Sequence, residues 1–379
     1  MSDSDQYVAK KGLEGVVFDK TTISHVNPAE KSLYYRGYPV AELAANCSYE
    51  EVAYVLFHGE LPNKEQLSSF SERERAAREL SPQLLEVLQR FPATAHPMDA
   101  IRTVVSYLGM EPDFAGVETA ESALEKGLLL LAKVPTAIAA TQRLRRGEKV
   151  ISPRPDLSLA DNFFHMVFGE VPAAETVKAF DGSLILYAEH SFNASTFSAR
   201  VIISTQSDLC GAITGAIAAL KGNLHGGANE AVMLMLQEIG SPERAKTWLQ
   251  EKLAAKEKIM GFGHRVYRYG DSRVETMSRF REQVAKQYGG QKWVDISEIL
   301  QAEMISAKKI YPNLDFPAGP VYYLMGFDID LFTPIFAMAR MAGWVAHVAE
   351  QLSDNRLVRP LAEYVGPAPR SVPPLSDRD

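Results

Sequence analysis

Three histidines stand where side-chain packing alone does not account for them. His225 is followed by Gly226-Gly227, so the chain can turn sharply beside the imidazole, and Asn229 to Glu238 reads as a new helix after the turn. His264 closes the run Ile259-Met260-Gly261-Phe262-Gly263, in which two glycines let backbone amides approach a ligand closely. His190 lies in a helix-like run from Tyr187 to Asn193. Imidazoles donate or accept protons near neutral pH, so such a set suits acid–base chemistry. Arg340 is a fourth candidate. It falls among Phe336, Met338, Ala339 and Ala342 in an apolar helical run, where a bare charge is costly without an anionic partner.

Other chemistries find no carrier. No HExxH pair and no Cys/His cluster is present, so no built-in metal site is expected. Gly261-Phe262-Gly263 lacks the third glycine of a dinucleotide loop, and neither a GxxxxGK[ST] loop nor a GxSxG elbow occurs. The two cysteines, Cys47 and Cys210, have no CxxC spacing and read as reduced packing thiols of a cytoplasmic protein. With 40 basic and 47 acidic side chains the net charge is −7, which argues against a phosphate backbone as main partner. The polar, acidic start Met1-Ser2-Asp3-Ser4-Asp5-Gln6 is unlike an export signal, and no apolar stretch is long enough to span a bilayer without interruption. Neither nucleic acid nor membrane is expected as a partner.

The elements that must position these groups are mostly helical. Ser48 caps a helix through Val52, Val55 and Leu56 that stops at Gly59; a second restarts at Leu61-Pro62-Asn63, and Pro97 opens a third that ends at Gly109. Helical period continues over 123–146, 159–168, 173–205 with a break, and 334–352. Only 15–25 and 33–38 look extended, so the fold class is all-α. Asp208 to Leu220 carries Gly211, Ala212, Gly215, Ala216 and Ala219, a nearly bare face suited to close helix contact within the chain or with a second copy. The charge-rich stretch 71–80 reads as a solvated helix face, and 113–121 as a loop. Domain changes are expected near Lys221-Gly222 and Gly326, and the proline-rich tail after Pro360 is expected to be an extended arm.

Three segments, Leu224-His225-Gly226-Gly227-Ala228-Asn229-Glu230, Met260-Gly261-Phe262-Gly263-His264-Arg265-Val266-Tyr267 and Pro312-Asn313-Leu314-Asp315-Phe316, resemble the catalytic segments of citrate synthases. The likeness runs from Tyr35-Arg36-Gly37-Tyr38 through His96-Pro97-Met98-Asp99 and His190-Ser191-Phe192-Asn193-Ala194-Ser195-Thr196 to Asn355-Arg356-Leu357-Val358-Arg359-Pro360. It is greatest to the short bacterial members described as 2-methylcitrate synthases, which often also accept acetyl-CoA. The resemblance implies a large helical domain of residues 1–226 and 326–379 and a smaller one of 227–325 that closes over a cleft.

The implied reaction joins propionyl-CoA, and also acetyl-CoA, to oxaloacetate; water then releases CoA and leaves 2-methylcitrate or citrate. A dedicated citrate synthase using acetyl-CoA is the alternative; a citryl-CoA-type lyase would use similar residues, whereas a non-catalytic acyl-CoA sensor is expected to have lost at least one of His225, His264 and Asp315, and all three stand here. By resemblance Asp315 removes the α-proton, His225 hydrogen-bonds the thioester oxygen, and His264 polarises the ketone. Arg273, Arg340, Arg359 and His190 hold oxaloacetate, with Arg359 reaching the partner's site in a homodimer. Ile259, Met260, Gly261, Phe262, Gly263 and Arg268 meet CoA. Acyl-CoA is a substrate, and no cofactor is implied. One departure stands beside the acyl group, where Pro317-Ala318-Gly319 follows Asp315-Phe316 in place of the Tyr-Ser of many citrate synthases. The extra N-terminal segment of the NADH-inhibited members is missing, so that regulation is not expected.

Overall fold

The computed structural model describes residues 9–27, 30–263, 267 and 270–378. Among them are sixteen α-helices and one small sheet. In chain order the helices are α1 (Val40–Asn46), α2 (Tyr49–His58), α3 (Lys64–Ala76), α4 (Pro82–Gln89), α5 (Pro97–Leu108), α6 (Ala120–Arg145), α7 (Leu159–Phe168) and α8 (Ala174–Tyr187). There follow α9 (Ala194–Ile203), α10 (Leu209–Leu220), α11 (Ala228–Ile239), α12 (Pro242–Ala254), α13 (Val274–Tyr288), α14 (Gln291–Lys308), α15 (Asp315–Leu324) and α16 (Phe332–Ser353). Strands β1 (Ser24–Asn27), β2 (Ser32–Tyr35) and β3 (Tyr38–Pro39) form an antiparallel meander, with Ser24 opposite Tyr35 and Tyr35 opposite Tyr38. The helical expectation holds; of the first extended stretch only its end pairs into a strand.

Local chemistry sets the helix ends. Ser48 and Glu51 form a reciprocal capping box at α2, and Gly59 ends the helix in the left-handed region at φ 94°. The helical run from 173 to 205 breaks at 188–193 because Asn193 caps a new helix, its Oδ1 taking the Thr196 N–H at 3.1 Å.

Two compact units result. The described residues of Met1–Lys20 and Leu357–Asp379 form one, largely irregular, with short 3-10 turns at Lys11–Leu13 and Leu375–Asp377. Thr21–Arg356 forms the other. Its centre is α16, against which α2, α6, α8, α9 and α10 pack, while α11 to α15 pack chiefly on one another. The small-residue helix α10 lies against α5, α9 and α16 of its own chain: a Cβ on Gly215 would fall 2.2 Å from Ile202 Cδ1.

One expectation is overturned. Within 71–80, Glu74 and Arg78 are buried at 2% and 1% exposure, and joined by a bidentate pair (Nη2 to Oε2 2.6 Å). Arg78 Nη1 also donates to Arg154 O and Leu157 O, both at 2.9 Å. Loop carbonyls more than seventy residues away draw the arginine inward, and burying the charge pair is tolerable because its donors are satisfied.

Candidate active site

The candidate site is assembled around the C-terminal end of α8. A helix leaves its last carbonyls without intrahelical partners, and its negative dipole end favours cations. Here Leu186 O accepts from Arg273 Nη1 at 3.3 Å, and Tyr187 O accepts from Arg340 Nε at 2.6 Å. Both arginines are buried. The Tyr35 hydroxyl fills the remaining space, 3.1 Å from Ile185 O and 2.8 Å from Glu189 O.

The two arginines are held differently. Arg273 grips Asp271 through Nε (3.0 Å to Oδ1) and Nη2 (2.7 Å to Oδ2). Burial works against its charge, but the Asp271 carboxylate outweighs burial and raises its pKa. Arg340 has one bond, at Nε, and its guanidinium lies 4.8 Å from the centre of the Phe336 ring. Its terminal nitrogens have no hydrogen-bond partner among the described residues and are not fully sealed from solvent. Burial lowers its pKa to about 10, so the charge persists at neutral pH. A planar fork presented in this way can take a carboxylate.

Asp315 begins α15. Its Oδ1 accepts from the Tyr187 hydroxyl at 2.7 Å, and its backbone N–H donates to Asn313 Oδ1 at 3.2 Å. Oδ2 has no partner among the described residues and is not fully buried. Burial pushes the carboxyl up to about 6, against the Tyr187 hydrogen bond and the Arg273 charge. That makes it a better proton acceptor than an ordinary aspartate while leaving it ionised above neutrality.

His225 lies in the turn between α10 and α11. Its N–H donates to Gly222 O at 2.8 Å, and the Gly226 N–H donates to Leu220 O at 2.8 Å. A Cβ on Gly226 would meet that same carbonyl at 2.5 Å, so the turn requires glycine. The Ser195 backbone N–H points at His225 Nε2 from 3.2 Å. A backbone N–H can only donate, so Nε2 accepts and the bonding pattern assigns the ring proton to Nδ1. The Ser195 hydroxyl lies 2.8 Å from Nε2 and 2.7 Å from Asn193 Oδ1, and accepts from Trp344 Nε1 at 3.1 Å. Burial, with the Arg340 charge, lowers His225 to about 4. It is therefore a neutral imidazole with an N–H to donate.

His225, Arg340 and Tyr187 converge on Phe336, whose ring centre lies 6.4 Å from that of His225 and 4.3 Å from that of Tyr187. His190 is nearly buried, with its ring edge-on to Tyr267 at 5.5 Å. The glycine loop is tied to the segment leading into Asp315: Gly263 N–H donates to Tyr311 O (2.8 Å), Asn313 N–H to Gly261 O (2.9 Å), and Asn313 Nδ2 to Gly263 O (3.0 Å). Gly261 has φ +79°, and a Cβ there would strike Val232 and Phe316 at 2.6 and 2.9 Å. Ile259 and Phe262 are buried and Met260 half-buried, with the Phe262 ring 4.5 Å from that of Phe316. His264 and Arg268 lie outside the described residues. Arg359 belongs to the other compact unit, where it is exposed and, among the described residues, donates to Pro360 O at 3.4 Å.

Sequence reasoning passed over Tyr187, Asp271, Ser195 and Trp344. Tyr187 offered one signal, a phenol three residues before His190 on a helix about to end. A deeper polar chain also escaped it: His347 Nε2 lies 2.9 Å from Glu189 Oε1, while Arg200 Nη1 lies 3.1 Å from His347 Nδ1 and 2.9 Å from Glu350 Oε2. That chain anchors the 188–190 segment beneath the arginines.

The family model for the citrate synthase C-terminal domain matches residues 12–361. A 2-methylcitrate synthase of Mycobacterium tuberculosis is 57% identical over 365 residues, covering 96% of this chain and 92% of that protein. A citrate synthase of Mycolicibacterium smegmatis is 56% identical over 362 residues, covering 96% of each. The solved citrate synthase of Thermoplasma acidophilum, a ternary complex with carboxymethyl coenzyme A and oxaloacetate, superposes with a TM-score of 0.92 at 30% identity, over 97% of this chain and 99% of that one. With its helical architecture, with Asp315 and Arg340 bonded to Tyr187 at the end of α8 and His225 beside the Phe336 ring that packs on Tyr187, this chain belongs to the citrate synthase family.

Proposed function

We propose that the protein condenses a short acyl-CoA with oxaloacetate and water, giving 2-methylcitrate or citrate and free CoA. One observation carries the reading: among the described residues, a carboxylate with one open oxygen and an arginine with an open fork both bond Tyr187 at the end of α8, and a neutral imidazole with an unbonded Nδ1–H lies beside the Phe336 ring that packs on Tyr187. Asp315 Oδ2 removes the α-proton of the acyl group. A carboxylate alone is a weak base for such a proton, so most of the acceleration comes from donors aimed at the oxygen that gains charge. His225 Nδ1–H supplies that donor to the thioester oxygen. A neutral imidazole suits the task because the charge stays shared with the enol.

His264 polarises the oxaloacetate ketone, and the enol carbon attacks it. Water then cleaves the thioester, so one C–C bond forms, one C–S bond breaks, and CoA leaves as the thiol. His190, Arg273, Arg340 and a partner's Arg359 hold the two carboxylates of oxaloacetate. Arg273 is committed to Asp271, so Arg340 carries the larger share among the described arginines. CoA runs along 259–263 with Arg268 on a phosphate. Residues 227–325 act as a small domain that closes on the remainder, 1–226 and 326–379, in a cytoplasmic homodimer.

For the donor we propose propionyl-CoA, with acetyl-CoA also accepted. Relatives of near-equal identity carry both names, and one methylene is worth only about 1 to 3 kcal/mol in a pocket. Release of free thiol from each acyl-CoA with oxaloacetate tests both points. A kcat/KM for acetyl-CoA far above that for propionyl-CoA reverses the choice, and no thiol release from either overturns the reaction. Asp315→Asn is expected to abolish condensation while calorimetry still detects oxaloacetate binding.

A further inference from the structure

We propose that Tyr187 is a positioning residue for proton abstraction: its hydroxyl holds Asp315 Oδ1 and leaves Oδ2 as the only oxygen free to take the substrate proton. This rests on the reading of Asp315 as the base. The 2.7 Å bond is the only side-chain hydrogen bond made to the Asp315 carboxylate by a described residue. The phenol cannot easily move. It is 1% exposed, its ring is packed 4.3 Å from that of Phe336 and 6.5 Å from that of Tyr322, and its own carbonyl is fixed by Arg340. One residue thus ties the base to the arginine fork, through its hydroxyl on one side and its carbonyl on the other.

The hydroxyl is a permanent donor. Burial and the Asp315 charge push the phenol well above its ordinary range, so it stays protonated wherever the enzyme works. Its bond stabilises the ionised carboxylate and opposes the burial that favours the neutral acid. The other charged or titratable described groups acting here are Arg273 and Asp271 from the segment before α13, Arg340 from α16 and Tyr322 on α15 itself. The two arginines favour the carboxylate and Asp271 opposes it. His225 is neutral and adds no charge.

The test is Tyr187→Phe in the full chain, which keeps the ring and removes the bond. Steady-state rates from pH 5 to 9, with protiated and α-deuterated acyl-CoA, give the acid limb of kcat and the isotope effect. The acid limb is expected to rise by about one pH unit, a tenfold change in ionisation equivalent to about 1.4 kcal/mol. The isotope effect is expected to increase, while oxaloacetate KM stays within about twofold. An unmoved acid limb and unchanged isotope effect overturn the proposal even if kcat falls, since a purely structural defect lowers kcat without moving either. Asp315→Asn assayed alongside separates the two failures. If it keeps turnover, the base assignment fails; if it is inactive while Tyr187→Phe titrates like the wild type, only the Tyr187 proposal fails. Should Tyr187→Phe not fold, site-specific 3-fluorotyrosine at 187 replaces it. That stronger donor moves the acid limb down, and an unmoved limb overturns the proposal.

Discussion

The approach of α16 to the end of α8 is close at Gly343, and Gly343→Ala is the substitution that probes it. A Cβ there would lie 2.4 Å from Ala188 O and 2.4 Å from Glu189 Oε2, against an ordinary contact of 3.4 Å or more. The first neighbour is backbone, and the second belongs to a side chain pinned by His347 and Ser24, so neither can yield cheaply. Overpacking of this kind costs about 3 kcal/mol, the upper end for an added methyl group. Alanine returns about 1 kcal/mol through its better helix propensity, leaving a net loss of about 2 kcal/mol.

Function suffers through Arg340, one turn before Gly343. Backing α16 off by about 1 Å carries the 2.6 Å bond from Arg340 Nε to Tyr187 O out to about 3.6 Å, past hydrogen-bond reach. A misdirected charged donor loses about 1.5 to 3 kcal/mol of interaction with its ligand, so oxaloacetate KM rises about tenfold to a hundredfold. Gly127→Ala is the control. Its Cβ would strike Val345 Cγ1 at 2.2 Å, two residues from Gly343 and so on nearly the opposite side of α16. That variant is expected to lose comparable stability with oxaloacetate KM unchanged. Thermal melting and substrate kinetics read both. A Gly343→Ala enzyme with wild-type oxaloacetate KM, whatever its melting temperature, refutes the argument that this contact sets the arginine.

Asp315 has a folded pKa of about 6 against an ordinary 3.8, so its ionised form opposes folding above pH 6 and is relieved as pH falls toward 3.8. Discounted for partial exposure, Asp315→Asn should stabilise the substrate-free protein on the order of 1 to 2 kcal/mol at pH 8 and by nothing near pH 4; a lower melting temperature at pH 8 contradicts this. His225 has the opposite sign: its folded pKa of about 4 against 6.5 means stability is lost as pH falls from 6.5 to 4, and His225→Gln should flatten that part of the pH–stability curve. In a homodimer with shared sites, His264→Ala and Arg359→Ala should each be nearly inactive. Refolded together in equal amounts, they should recover roughly a quarter of wild-type activity; no recovery with mixed dimers shown by mass spectrometry places Arg359 in its own chain's site or couples the two sites.

Features decided by neighbours in sequence were legible before the fold was known. The Ser48–Glu51 capping box, the Gly59 stop and the span of α7 all follow from local chemistry, and the structure keeps them. Features decided by distant backbone were not. Glu74 and Arg78 read as solvated because nothing near them in sequence reveals the carbonyls of Arg154 and Leu157. Tyr187 gave no more than its place near a helix end for the same reason: its role appears when Asp315 arrives at the phenol, just as Asp271, two residues from Arg273, is fixed by the Leu314 N–H at 3.2 Å from the segment leading into α15.

Arg340 shows where the two kinds of information meet. Its apolar helical neighbours already called for an anionic partner, and the described residues supply instead one carbonyl at one nitrogen. The deficit is kept open by design of the packing: Gly343 lets α16 come close enough for that single bond, and the Phe336 ring covers the guanidinium without neutralising it. A buried cation left short of partners binds a carboxylate more strongly than a fully paired one does, because no existing ion pair must first be broken. On the proposed assignment Arg273, already paired with Asp271, offers oxaloacetate less for that reason. Truncation of Arg340 should therefore weaken oxaloacetate binding more than truncation of Arg273 does, once each variant's stability is matched. The reverse ranking in calorimetric titrations would mean that the Asp271 pair opens on binding.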